Sequence, residues 1–235
     1  MLGLVKAAGA AVAAVTAGAV TMGGWAVVSV KDLPEYFVAG QEYTIEFQVR
    51  QHGRDLLSQL EPRLLVSSSE RRLGGLLGGK DATSIAAVAR SEGTYAATFT
   101  APAVEQVFLT IKSGFGESNL RLYPQPVVAA GAGSGATRAP MAATDRGRVL
   151  FVAKGCNACH ANADLTDRPD NQQIKVGPEL GGRRLARQYV IQKLKQPASQ
   201  AMPDLGLSDA EVTALAAFLS SDRAAAAGGD EGGGR

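Results

Sequence analysis

The chain has 235 residues, of which 46% are hydrophobic and 20% are charged, so its length permits one large domain or two small ones with buried cores. Its 24 basic and 22 acidic residues nearly cancel, which argues against a nucleic-acid-binding protein with a strongly cationic face. Both cysteines lie within one short motif, which leaves no framework of structural disulfides to expect.

The N-terminal segment indicates export. No charged residue occurs from Ala7 to Val30, and Lys6 precedes this run. Its last part, "WAVVSV" at 25–30, is typical of a strand, and the remaining apolar stretch is about as long as the core of a signal peptide. Small residues suited to cleavage occur in "AGA" at 17–19. We therefore predict that residues 1–24 are either a cleaved signal peptide or a retained membrane anchor.

Residues 25–124 contain short β-like runs that are separated by Gly, Pro and other turn residues. The runs are WAVVSV (25–30), YTIEFQV (43–49), RLLVSS (63–68), SIAAVA (84–89), TYAATFT (94–100), VFLTIKS (107–113) and LRLY (120–123). In the second run, Tyr43, Ile45, Phe47 and Val49 share one face. Short alternating strands of this number predict an all-β sandwich of immunoglobulin-like type, with a flexible loop at "LLGGK", 76–80.

Two segments are too rich in small residues to bury an apolar face. Residues 125–144, "QPVVAAGAGSGATRAPMAAT", predict a flexible linker, and residues 223–235 predict a disordered tail. Between them, residues 145–222 predict a small all-α domain. A linker of this length favours a module that moves relative to the β-domain.

The motif "CNACH" at 156–160 carries the chemistry of this module. Cys156 and Cys159 lie three positions apart, so on one helical turn both thiols reach neighbouring vinyl groups of a porphyrin, and His160 follows to bind the iron. A thioredoxin-like redox pair would need a βαβ context, which this segment lacks. A zinc site would need a second pair of ligands, and the nearby chain offers none. The motif predicts one covalently bound haem c.

Met202 is the candidate for the second axial ligand of that haem. It lies 42 residues beyond His160, far enough for the chain to reach the opposite haem face. The other methionines fall in the leader and the linker. Methionine ligation raises the potential of a haem iron, although a lone methionine is also common as core filler.

Taken in order, these features resemble the monohaem class I cytochrome c family. The segment "RGRVLFVAKGCNACH" is similar to the family's first helix, with Gly147 and Phe151 where that helix packs on the last one. "VGPEL" at 176–180 resembles the loop in which a proline, here Pro178, offers its backbone carbonyl to the proximal histidine. The resemblance implies that "RRLARQYVIQKLKQP" is the middle helix.

The end of the module resembles the distal loop and closing helix of the same family. Ser208 and Glu211 predict a capping box at the start of that helix. An apolar face follows, formed by Val212, Leu215, Phe218 and Leu219.

The β-domain resembles, more loosely, exported immunoglobulin-like domains of the YtkA and FixH type, some of which are associated with copper or oxidase assembly. The resemblance rests on "GQEYTIEFQVRQHG" and "GTYAATFTAP". The only histidine here is His52, and the domain has no Cys or Met to complete a copper site. We interpret His52 as a surface or turn residue.

A haem iron with both axial positions filled leaves no place for a substrate, so we predict an electron carrier and not an enzyme. The expected location is the periplasmic side of a bacterial membrane, and the expected partners are redox proteins. Basic residues concentrate between Arg183 and Lys195, which is either a docking patch or an ordinary solvated helix face. The alternatives are a haem-bearing subunit of a respiratory or photosynthetic complex, and a haem-sensing or copper-handling protein.

Overall fold

The computed structural model describes residues 24–69, 82–131, 138–165, 174, 176–183, 185–197 and 202–220. Nearly all of the predicted export segment, the loop at 76–80 and the tail at 223–235 lie outside these residues. The strands are β1 (Ala26–Val30), β2 (Phe37–Val38), β3 (Glu42–Gln51), β4 (Asp55–Leu56), β5 (Arg63–Ser67), β6 (Thr83–Ala86), β7 (Val88–Ser91), β8 (Thr94–Thr100), β9 (Gln106–Lys112), β10 (Asn119–Arg121) and β11 (Gln125–Val128). The helices are α1 (Ala143–Ala153), α2 (Cys156–Cys159), α3 (Arg187–Lys195) and α4 (Asp209–Leu219).

The strands form two sheets packed as a sandwich. One sheet has the order β1-β3-β8-β7, with β4 paired to β3, and the other has the order β2-β11-β9-β5-β6, with β10 paired to β9. Neighbouring strands are antiparallel except β2 and β11, which are parallel. The predicted all-β sandwich is confirmed.

Alternation explains which side chains of β3 enter the core. Ile45, Phe47 and Val49 are buried, whereas the residues between them are partly exposed. The predicted run at 84–89 divides into two strands, β6 and β7, which lie in different sheets. Strands β2 and β4 have only two residues each, too few to produce a recognisable period.

Strand β11 lies within the segment that the sequence predicts to be a linker. Gln125 is buried and its Nε2 donates to the Tyr123 carbonyl at 2.7 Å, while Val127 pairs with Phe37. The backbone of residues 125–128 therefore completes the second sheet. The composition of residues 125–128 does not indicate a strand, because β11 is stabilised by main-chain pairing with β2 and β9, which are distant in the sequence.

Helices α1 and α4 pack closely against each other at Gly147, which has no side chain. A Cβ on Gly147 would overlap the Ala214 carbonyl and lie 2.7 Å from Phe218 Cβ. Next to this contact, the Phe151 and Phe218 rings lie 5.7 Å apart. The Ser208–Glu211 capping box starts α4, with both of its hydrogen bonds formed. The packing of Gly147 and Phe151 on α4 is what the cytochrome c resemblance implies, and the capping box forms where the sequence predicts it.

The helical module also contacts the sandwich directly. Arg146 of α1 donates to the carbonyls of Leu33 and Pro34, and the Glu35 carboxylate accepts from the Met141 amide at 3.1 Å. The guanidinium of Arg148 lies over the Tyr123 ring at 5.4 Å. This docked arrangement differs from the mobile module that the linker composition predicts. Among the described residues, no helix is long and apolar enough to cross a bilayer.

Candidate haem-binding site

A left-handed glycine positions the cysteine motif. Helix α1 ends at Ala153, and Gly155 adopts φ 72°, a backbone conformation that glycine enters without steric cost. The chain thereby turns from α1 directly into the single turn of α2. This turn begins with Cys156 and ends with Cys159, so both sulfur atoms belong to one short helix.

Both cysteines are half-buried, and burial affects the acidity of each thiol. Burial raises the pKa of the Cys156 thiol to about 12, and the nearby Cys159 sulfur adds to this rise. Burial also raises the pKa of Cys159 above its usual range. Unmodified thiols here are therefore protonated and neutral at pH 7. Thioether sulfurs are likewise uncharged, so attachment of a porphyrin would introduce no buried thiolate.

The ring of His160 is held by a backbone carbonyl. Its Nδ1 lies 3.0 Å from the carbonyl oxygen of Pro178. Because a carbonyl oxygen only accepts, Nδ1 carries the proton in this hydrogen bond, and Nε2 keeps its lone pair for a metal. The Gly177 amide also donates to the Cys159 carbonyl at 2.9 Å, which fixes the loop against α2.

Gly177 is a site residue that the sequence does not predict. A Cβ on Gly177 would lie 2.5 Å from His160 Cε1 and 2.6 Å from Nδ1, closer than real Cβ contacts. The residue before Pro178 must therefore lack a side chain for the imidazole to reach the carbonyl. A glycine immediately before Pro178 is visible in the sequence, but the sequence alone cannot show that the His160 imidazole packs on it.

Two further backbone hydrogen bonds connect the loop to the cysteine motif. The Ile174 amide donates to the Ala158 carbonyl at 2.9 Å, and the Leu180 amide donates to the Ala161 carbonyl at 2.8 Å. They flank the His160–Pro178 contact on both sides. The imidazole orientation is thus set by main-chain geometry rather than by a mobile side chain.

Met202 is half-buried in the segment that leads into α4. Pro203 follows it, and the amide of Gly206 donates to the Asp204 carboxylate at 2.9 Å in a tight turn. The module therefore offers two neutral thiols and an imidazole with Nε2 available at the cysteine motif, and a thioether on the separate segment that carries Met202. These groups fit a haem c, whose vinyl groups take thiols and whose iron takes imidazole and thioether ligands.

The other candidate features are weaker. His52 is exposed in the turn between β3 and β4, with its ring 5.7 Å from that of Trp25. In the part of the chain that the structure describes, no three His, Cys, Asp or Glu residues are grouped as metal ligands would be. Within the basic segment 183–195, Lys195 pairs with Asp209 at 2.6 Å and Lys193 lies over the Tyr189 ring.

One family of known proteins matches the part of the chain that carries this site. Residues 142–219 match the family described as "Cytochrome C oxidase, cbb3-type, subunit III". A comparison with curated proteins gives no match. One similar solved structure, "Crystal structure of the Lin-41 filamin domain", is 16% identical over 43% of this chain and 91% of that chain, with a TM-score of 0.30. The chain is therefore a β-sandwich followed by a small helical cytochrome c domain, and that domain implies a haem c.

Proposed function

We propose that the protein transfers single electrons through one covalent haem c on the periplasmic side of a bacterial membrane. Cys156 and Cys159 would form the two thioethers, and His160 and Met202 would be the axial ligands. A haem c in this position supplies a one-electron couple. Pro178 would orient the proximal imidazole through its carbonyl.

The observation that carries this proposal is the hydrogen bond from His160 Nδ1 to the Pro178 carbonyl, immediately after two cysteines on one helical turn. A zinc site does not require this loop, and a dithiol redox pair does not require the histidine. Orientation of the imidazole by an outer hydrogen bond is what a tightly held metal-ligating histidine needs. The match of residues 142–219 to a cytochrome family supports the same assignment.

Removal of the cysteines tests covalent attachment. Cys156→Ala and Cys159→Ala should each weaken haem staining on denaturing gels, because each thioether needs its own sulfur, and the double variant should abolish it. His52→Ala is the control, since this exposed histidine belongs to the β-domain. Staining that persists in the double variant would overturn the haem c assignment.

A second candidate is a haem-bearing subunit of a membrane respiratory complex. It is favoured by the matching family, whose description names a subunit of a cbb3-type oxidase. Purification of the tagged protein from native membranes, followed by haem staining and mass spectrometry, separates the candidates. A stoichiometric complex with membrane oxidoreductase subunits would support the subunit, whereas recovery of the protein alone would support the independent carrier.

A further inference from the structure

Strand β1 is buried on both of its faces. Ala26, Val28 and Val30 enter the core of the sandwich, as alternation requires. Val27 and Ser29 point to the opposite face of the sheet, yet they are only 6% and 4% exposed. A strand with one face in the sandwich core exposes the other face unless another element covers it.

The helical module provides that cover. A Cβ placed on Gly155 would lie 2.5 Å from Val27 Cγ1 and 2.6 Å from the Val28 carbonyl oxygen. Ser29 Oγ would lie 3.5 Å from the same point. The backbone immediately before the first cysteine is thus pressed against the outer face of β1, closely enough that only a glycine fits.

The turn between β3 and β4 reaches the second cysteine. A Cβ on Gly53 would lie 3.7 Å from Cys159 Sγ, 3.6 Å from Val27 Cγ2 and 4.0 Å from Trp25 Cη2. Gly53 is itself buried. A side chain at position 53 would therefore touch the sulfur that would carry the second thioether, so this turn of the sandwich lies beside Cys159.

A buried lysine holds the two domains together. Lys154 Nζ donates to the Lys31 carbonyl at the end of β1 and forms an ion pair with Glu211 Oε1 of α4 at 2.6 Å. Its side chain is 2% exposed, so both interactions are shielded from water. The Lys154 ammonium thus binds both the sandwich, at Lys31, and helix α4, at Glu211.

We propose that the β-sandwich is a fixed cover over the haem-attachment helix, which closes the Cys159 side of the haem to water and to redox partners. The proposal rests on the function proposed above and assigns a role to the β-domain. Redox partners would then approach the haem from a side that the sandwich leaves open. Exclusion of water disfavours the more highly charged ferric state, so the cover would also raise the reduction potential.

Val27→Lys tests this cover without changing the core of the sandwich. The new ammonium cannot remain in the contact with Gly155, and it is readily solvated once the domains separate. Val88→Lys is the matched control, because Val88 is 54% exposed on β7 at the opposite edge of the same sheet. Ser29→Lys places the same charge on the covered face of β1. It provides a second test of the cover if Val27→Lys does not fold.

Four measurements on the full-length haem protein compare the covered-face variants with the control. We expect both covered-face variants to give a larger radius of gyration by small-angle scattering and faster amide exchange at residues 154–159. Their reduction potential should fall, and reduction by ascorbate should become faster. Val88→Lys should match the unmodified protein throughout, and circular dichroism should show that every variant is folded.

The outcomes separate cleanly. Unchanged scattering and exchange in both covered-face variants would overturn the docking. Domain separation with an unchanged potential and an unchanged ascorbate rate would overturn the covering role. Absence of haem from every variant would instead contradict the proposed function, while scattering and exchange would still show whether the domains dock through β1.

Discussion

The Nδ1 atom of His160 lies 3.0 Å from the carbonyl oxygen of Pro178. The imidazole packs so closely on Gly177, the residue before Pro178, that a side chain there would overlap the ring. This geometry fixes the imidazole tautomer through the main chain. A proximal histidine that donates such a hydrogen bond is a stronger electron donor, which favours ferric iron. The length of this hydrogen bond should therefore influence the potential of a bound haem.

Gly177→Ala should disturb this hydrogen bond while leaving the proposed thioethers at Cys156 and Cys159 intact. The new Cβ would lie 2.5 Å from His160 Cε1, so either the ring or the loop must move. We expect haem to remain attached and the reduction potential to rise as the hydrogen bond weakens. Overpacking of this kind costs about 1–3 kcal/mol of unfolding free energy. Redox titration and chemical denaturation measure the two effects.

Pro178→Ala is the companion variant, because it keeps the carbonyl oxygen and removes only the proline ring. Its potential should shift much less than that of Gly177→Ala. Equal shifts in the two variants would show that the loop acts through its rigidity and not through contact of Gly177 with the imidazole.

Lys154 and Lys195 form ion pairs of equal length in very different surroundings. Lys154 pairs with Glu211 at 2.6 Å with its side chain 2% exposed, and Lys195 pairs with Asp209 at 2.6 Å with its side chain 51% exposed. Lys154→Met strands a shielded carboxylate, which costs about 3–5 kcal/mol. Lys195→Met should change the free energy of unfolding very little. Urea denaturation of both variants measures the difference.

Adding Glu211→Gln to Lys154→Met should recover much of the lost stability. The double variant removes the unpaired charge, and the Gln side chain still accepts from the Ser208 amide in the capping box. If the double variant is no more stable than the single one, lost packing of the lysine stem explains the cost, and the ion pair does not.

Much of this fold follows from local patterns, whereas the relationship between the domains does not. The alternation in β3 and the Ser208–Glu211 capping box are local signals, and both elements form where the sequence places them. The docking of Gly155 against Val27 depends on two segments more than a hundred residues apart. A glycine and a valine in a sequence do not indicate that they will contact each other. The burial of Lys154 is equally hard to predict, because a lysine usually occupies an exposed position.

The site shows the same division. The spacing of Cys156, Cys159 and His160 indicates haem attachment because the chemistry is confined to one helical turn. The proximity of Gly53 to Cys159 could not be anticipated, because it arises from the way the β3–β4 turn meets the helical module. Strand β11 escaped prediction for a similar reason, since its partners are β2 and β9 rather than neighbours in the chain.

Gly147→Ala should destabilise the contact between α1 and α4. Its Cβ would overlap the Ala214 carbonyl and approach Phe218 Cβ to 2.7 Å, so the helices must separate. A helical Gly→Ala change normally gains stability, but here the overlap should reverse the sign, with a cost of about 1–3 kcal/mol. Thr144→Ala, at a partly exposed position on the same helix, is the control. A stabilised Gly147→Ala protein by thermal denaturation would contradict the tight crossing.

Met202→Leu tests the proposed distal ligand. If Met202 only fills space, this change conserves volume and apolarity, costs less than about 1.5 kcal/mol and leaves the haem spectrum unchanged. If its sulfur binds the iron, the variant loses a soft ligand that favours the ferrous state, so the reduction potential should fall. The sixth position would then be open, and the reduced protein should bind carbon monoxide. The haem should stay attached through Cys156 and Cys159 in either case.

Met141→Leu is the matched control for this experiment. Met141 is also half-buried, but it lies ahead of α1, where its amide donates to Glu35, so its thioether is not proposed as a ligand. We expect this variant to keep the original potential and to exclude carbon monoxide. A Met202→Leu protein that behaves like Met141→Leu would remove the axial assignment of Met202. Because a closed sixth position is the reason to expect electron transfer rather than ligand binding at the iron, that result would also reopen the choice between a carrier and a haem-based sensor.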